Sequence, residues 1–173
     1  MLLGFVLMAG SDPAFAQSTR LKEYRSAEHK VSIGFPEGWT LQPPQRNEVW
    51  LASGDLRGGP AGCFVRMSKV GGLQLLTPDA YFRENDESKW VKLVSISTPD
   101  VKVHRFDFSL LGGKNARLII YSGTDDGVKV GNLVHQTLDG SRILTLACFV
   151  EQRRFTTVYS DFDSIAASFK FLN

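Results

Sequence analysis

The chain has 173 residues, 43% of them hydrophobic and 22% charged, with a formal net charge of +2. That is enough chain to bury one sizeable core. The near-balance of charge excludes the basic face of a nucleic-acid binder, and no apolar run is long enough to span a bilayer as a helix.

The first element is an apolar run, Leu2–Ala9, followed by Gly10-Ser11-Asp12-Pro13 and the triplet Ala14-Phe15-Ala16. This order predicts a signal peptide over residues 1–16, cut before Gln17. No Lys or Arg precedes the run, and a buried N-terminal strand is the competing reading. The first cysteine is Cys63, so no lipid-anchoring Cys stands at the cleavage point. Residues 17–173 are then expected to form one exported domain, periplasmic or secreted and bacterial, with no transmembrane segment.

Arg20–Ser26 and Lys30–Phe35 are two extended runs separated by Ala27-Glu28-His29, and they predict a hairpin. Val31, Ile33 and Phe35 alternate with Ser32 and Gly34, which buries one face. Pro36 cannot donate to a sheet ladder, so the strand stops there, and Gly38 permits the bend that follows. Trp39 is placed to close one end of the core. Glu48–Ser53 predicts a third strand, Gly54–Gly62 a Gly-rich loop suited to recognition or to plain surface slack, and Gly62–Val70 a fourth strand. Thr77, Pro78 and Asp79 then carry a helix start as N-cap, first helical position and acidic first turn. The helix is expected to run to about Trp90.

Val101–Leu111, Ala116–Ser122, Val128–Leu138 and Arg142–Val150 predict four strands of a meander. Asp126-Gly127 and Asp139-Gly140 between apolar runs are strong hairpin signals. The last strand is apolar at nearly every position from Ile143 to Val150, so both its faces are expected to be covered by helices. Finally, Phe155, Val158, Phe162, Ile165 and Phe169 form one stripe of an amphipathic helix. Arg153 and Arg154 would stand unfavourably at the positive end of its dipole, which argues for a start near Ser160 or a distorted first turn.

Val31–Trp39 (a strand, then Pro-x-Gly-Trp), the central helix, the antiparallel meander and the closing Asp163–Phe169 together resemble the PsbP-like superfamily of PsbP and DcrB-like exported proteins. The resemblance implies an α+β fold: an antiparallel sheet of about six to eight strands, with a C-terminal meander, flanked by helices as an α/β/α sandwich. It implies accessory or binding roles rather than one activity, and it carries over no functional residue.

The signatures of catalysis are missing. There is no G-x-S-x-G elbow, phosphate-binding loop, dinucleotide fingerprint or H-E-x-x-H. Thr124-Asp125-Asp126-Gly127 lacks the distal Glu of a calcium loop and reads as a turn. His29 is expected in a solvated turn, His104 on one strand face with Phe106 and Phe108, and His135 opposite the Val130, Val134 and Leu138 face. Two histidines on neighbouring strands could suit a metal, but a half-buried and a surface histidine explain them. Cys63 and Cys148 lie in apolar strands; in an oxidising compartment they read as one disulfide, otherwise as two buried thiols. Trp39, Trp50 and Trp90 default to core packing, with one of them a potential exposed anchor, and Arg153 and Arg154 default to solvation. The expectation is therefore a non-catalytic protein with no cofactor or metal, acting on another envelope or extracellular protein. A small-ligand or metal-ion-binding accessory factor is the alternative.

Overall fold

Where the chain can turn decides the strand order. In the computed structural model, which describes residues 19–45, 47–69 and 77–173, the strands of the first half are β1 (Leu21–Ser26), β2 (Val31–Pro36), β3 (Thr40–Gln42), β4 (Glu48–Asp55) and β5 (Pro60–Lys69). Two helices follow, α1 (Pro78–Glu84) and α2 (Glu87–Val94), and then β6 (Lys102–Leu111), β7 (Lys114–Asp125), β8 (Val128–Asp139) and β9 (Arg142–Glu151). The chain closes with α3 (Phe155–Ser168) and β10 (Lys170–Phe171). The expected signal segment, residues 1–16, lies outside the described residues.

Gly112-Gly113 and Asp126-Gly127 all adopt positive φ, between 46° and 81°. These are the primed turns whose twist matches that of the flanking strands; they join β6 to β7 and β7 to β8, and a turn at Gly140, also at positive φ, brings β9 into the meander. Antiparallel pairing continues through β5, β4 and β3, giving a seven-stranded sheet in the order β3-β4-β5-β9-β8-β7-β6. A second sheet, β1-β2-β10, lies with α3 on one face of it, here called the inner face; α1 and α2 cover the outer face. The three layers are those of the α+β sandwich expected.

Alternation sorts the side chains. From β5 and β9, Cys63, Val65, Leu144, Leu146 and Cys148 point inward to meet Ile33 and Phe35 of β2 and Val158, Phe162 and Ile165 of α3. Phe64 and Ala147, one residue out of phase, join a smaller outer cluster with Ile119, Val134 and Trp90. Trp39 closes the inner core, stacked 6.3 Å from Phe35, and its indole N–H donates to the carbonyl of Asp55.

Several local expectations are corrected. The nine-residue Gly-rich loop does not exist as such: β4 runs on to Asp55 and β5 begins at Pro60, leaving Leu56–Gly59 as a tight connection. Leu56 is buried in the core, and its N–H bonds the Gly59 carbonyl. The single helix ending near Trp90 is two, because Asp86 takes an extended backbone and caps a new helix by accepting from the Lys89 N–H. The last helix starts at Phe155 rather than Ser160, after a 3-10 turn over Gln152–Arg154, which is the distorted first turn. Arg154 escapes the dipole conflict by donating to the carbonyls of Leu56 and Pro60, and Arg153 pairs with Glu151 at 2.7 Å. Arg153 remains on the solvated surface as expected, whereas Arg154 does not. Strands β3 and β10 went unforeseen.

Candidate binding face

The two sides of the seven-stranded sheet are covered very differently. On the inner side α3 buries Val158, Asp161, Phe162, Ile165 and Ala166. Asp161 accepts from Arg57 and Thr19, tying the β4–β5 connection and the chain before β1 to the helix. On the outer side α1 is anchored by Tyr81 and Phe82, and its backbone at Phe82 accepts a 3.0 Å hydrogen bond from Arg117 of β7. The Arg117 guanidinium is enclosed by the rings of Phe82, Phe106 and Phe108, the last at 4.1 Å, and burial pushes its pKa down.

Helix α2 is held less firmly: none of its residues is buried. Its one aromatic anchor is Trp90, whose ring meets Tyr121 edge-on at 4.9 Å and Phe106 at 6.4 Å. Under the helix a groove of about 280 Å³ remains, lined among others by Phe64, Tyr81, Trp90, Val94 and Tyr121. Burial in this groove, with Asp125 nearby, pushes the Tyr121 hydroxyl up to about 12. Arg66 and Lys89 supply cationic character to the same lining; Arg66 lies 5.0 Å over Phe64 and pairs with Glu48. Leu93, on the groove, is 68% exposed, and Ile96, just past the helix end, is 82% exposed. Large apolar side chains left this open beside a loosely seated helix are what a docking face presents.

The residues singled out in the sequence are dispersed rather than convergent. Cys63 and Cys148 are directly opposite across β5 and β9, with Cα atoms 4.0 Å apart and their sulfurs joined as a disulfide. They lie in the inner core, away from the groove. Trp39 and Trp50 are buried, while Trp90 is the partly exposed one. His29 is in the β1–β2 turn and lines an open recess with Glu28, Lys69 and Arg142. His104 does not share a face with Phe106 and Phe108. The register shifts between Val103 and Arg105, and this bulge turns His104 to the inner face, where its Nε2 is 2.8 Å from Ser122 Oγ beside Phe155.

His135 lies buried on the inner face, opposite Val134 as expected, with Nδ1 3.3 Å from Ser109 Oγ. Burial, seconded by Arg105, pushes its pKa down, while Asp163 opposes. Among the described residues no carboxylate bonds the Ser–His pair, and neither residue lines the groove or the recess beside His29. Among the described residues no cluster of three or more His, Cys, Asp or Glu could hold a metal, and no helix is long and apolar enough to cross a membrane. Leu93 and Ile96 lie beyond the helix end that the sequence leads one to expect near Trp90; Asp86 followed by Glu87 is the signal for a second N-terminus.

No family model matches the chain, and no curated protein matches it significantly. Solved structures do. The chain is similar to the solution structure of cyanobacterial PsbP (CyanoP) from Synechocystis, with a TM-score of 0.67 and 18% identity over 94% of this chain and 98% of that one. It is similar to LpqN, involved in cell envelope biogenesis of Mycobacterium tuberculosis, with a TM-score of 0.65 and 14% identity over 88% and 92% of the two chains. A protein of unknown function from Pseudomonas aeruginosa matches at a TM-score of 0.54 and 13% identity over 83% and 91%. At such identities the likeness is one of fold: this chain has the PsbP-like fold that its strand–Pro-x-Gly-Trp opening and its closing helix resemble.

Proposed function

We propose that this is an exported, non-catalytic accessory protein that binds another protein of the cell envelope or the extracellular space through the α2 face. The observation that carries the reading is the pair Leu93 and Ile96, exposed on and beside a helix with no buried residue. Burying two such side chains against a partner is worth about 1.5–3 kcal/mol each. Support for export comes from the apolar run and small-residue triplet before Gln17 and from a disulfide in the inner core. The envelope role stated for LpqN is consistent with it.

The test is a photo-crosslinking side chain placed at Ile96, with the exposed Ser164 of α3 as the control position, in the cells that make the protein. A discrete adduct from position 96 that is lost with Leu93→Asp supports the reading. Identical adducts from both positions, or none from 96, overturn it. Intact mass decides export: a chain beginning at Gln17 and lacking two hydrogens fits, and a full-length reduced chain does not. The groove favours a second reading, a small-ligand accessory factor, in which a ligand between Trp90 and Tyr121 would quench Trp90 fluorescence.

A further inference from the structure

The seven-stranded sheet has two edges of different kinds. Strand β3 is three residues long, whereas β6 is ten. Between the bulge at Val103/Arg105 and the Gly112-Gly113 turn, β6 pairs with β7 without interruption from Arg105 to Leu111. The hairpin fixes which backbone groups remain free. Leu111 and Lys114 flank a two-residue turn and exchange both hydrogen bonds, so Ser109, Asp107 and Arg105 also bond toward β7. The N–H and C=O groups of Phe106, Phe108 and Leu110 therefore point away from the sheet. Among the described residues, no backbone hydrogen bond outside the strand ladders reaches them.

The same three residues carry an apolar row on the outer face. Phe108 is 63% and Leu110 64% exposed, and Phe106 is partly buried against Trp90. A long edge with free ladder groups and exposed apolar side chains is the kind that proteins ordinarily blunt with charge. Here the charges, Arg105 and Asp107, alternate onto the other face and pair with each other at 2.6 Å.

We propose that β6 pairs antiparallel with β6 of a second copy of this chain, about a two-fold axis through Phe108, joining two seven-stranded sheets edge to edge. Phe108 is the middle residue of the regular stretch, so this register uses all of it. Phe108 faces itself, Phe106 faces Leu110 of the second copy, Asp107 faces Ser109, and Arg105 faces Leu111. Every free backbone group finds a partner, and the apolar rows merge into one. The neighbouring registers are worse. Sliding toward the turn, to place Ser109 on the axis, leaves Phe106 opposite Gly112 and takes it out of the shared apolar row. Sliding so that Phe106 faces Phe108 puts Asp107 opposite Asp107, a like-charge pair at the closer, non-hydrogen-bonded spacing. Sliding further, to place Phe106 on the axis, runs the pairing into the bulge at Val103/Arg105. A self-complementary edge selects an isologous partner, which is the geometry of a closed dimer. The inference uses β6 and not the α2 face, so it stands or falls apart from the function proposed above.

Sedimentation equilibrium of the purified, disulfide-bonded protein over a range of concentrations tests it, together with amide exchange. The expected result is a reversible dimer in which the amides of Phe106, Phe108 and Leu110 gain protection with concentration, while those of Arg105, Asp107 and Ser109 are protected throughout. Phe108→Lys sets two lysines on the axis. Loss of a central aromatic anchor weakens an interface about 30-fold or more, and the axis counts it twice, so the dissociation constant should rise on the order of 1000-fold. Leu110→Lys, farther from Arg117, is the second variant should Phe108→Lys unsettle the monomer, and circular dichroism checks both. A protein that is monomeric at every concentration overturns the proposal. So does a dimer indifferent to both variants, or one that protects amides elsewhere.

Discussion

Reduction of the Cys63–Cys148 bridge is expected to cost the protein about as much stability as truncating a large core side chain. The bridge links residues 85 apart, and its loop encloses α1, α2 and β6 to β8. In the chain-entropy picture, a loop of that length restricts the unfolded ensemble by about 4–5 kcal/mol, an upper value. Reduction isolates this effect better than mutation does. Both cysteines are fully buried between Ala52 and Leu133, so two thiols fill nearly the space of the bridge, whereas Cys→Ala would add a cavity cost. Urea unfolding, followed by Trp fluorescence with and without reductant, measures the difference. With a slope of about 2 kcal/mol/M, a loss of about 4 kcal/mol moves the midpoint down by about 2 M. At about 2–4 °C per kcal/mol for a domain of this size, the melting temperature should fall by roughly 8–16 °C. An unchanged midpoint, in protein shown by thiol titration to carry two free cysteines, would refute the reasoning. It would mean that β5 and β9 stay associated in the denatured chain, so that the cross-link restricts nothing.

Asp161→Asn should cost about 1–3 kcal/mol in the same urea assay, because Asp161 is 3% exposed and its removal leaves the Arg57 guanidinium, itself only partly open to water, without its carboxylate. Tyr121 ionises near 12 in the fold, against 10.0 for a free tyrosine. Its raised value means that its share of stability, on the order of 2 kcal/mol, is complete below pH 10 and drains away as pH rises toward 12. Tyr121→Phe should remove that alkaline loss. His135 is shifted the opposite way, downward by burial, so stability should be full above the ordinary histidine value of 6.5 and fall as pH drops through the lowered one. His135→Asn should flatten that acid limb of a stability–pH curve, and an unaltered limb would assign it to carboxylates instead.

What could be read from the sequence was whatever is encoded within a few residues. Alternation at Val31, Ile33 and Phe35 and the Asp126-Gly127 turn specify their own strands, because period-two burial and positive φ are local demands. What escaped depends on partners distant in the chain. Lys170 and Phe171 form a strand only because β2 offers Ser32 and Val31 to pair with. Residues Leu56–Gly59 look like slack until Leu56 is buried and Arg154, far along the chain, takes up its carbonyl. A one-residue bulge moved His104 across the sheet, and nothing in Val103-His104-Arg105 announces it. The proposed docking face is legible least of all, since exposure of Leu93 and Ile96 is a property of the finished surface.

The asymmetry between the layers gives these details a common sense. The inner layer is cross-linked three ways, by the disulfide between β5 and β9, by Asp161 with Arg57, and by Arg154 with the β4–β5 connection. None of these ties reaches α2. The outer layer rests on Phe82 and Arg117 at one end and Trp90 at the other, with a groove between. A local opening of α2 exposes few apolar contacts and leaves the inner core intact, so its free energy lies far below that of global unfolding. A partner that buries Leu93 and Ile96 would therefore order α2 without having to reshape the sheet. The same reasoning explains why the disulfide lies where it does: it stiffens the platform, and the face that would meet a partner keeps its freedom to adjust.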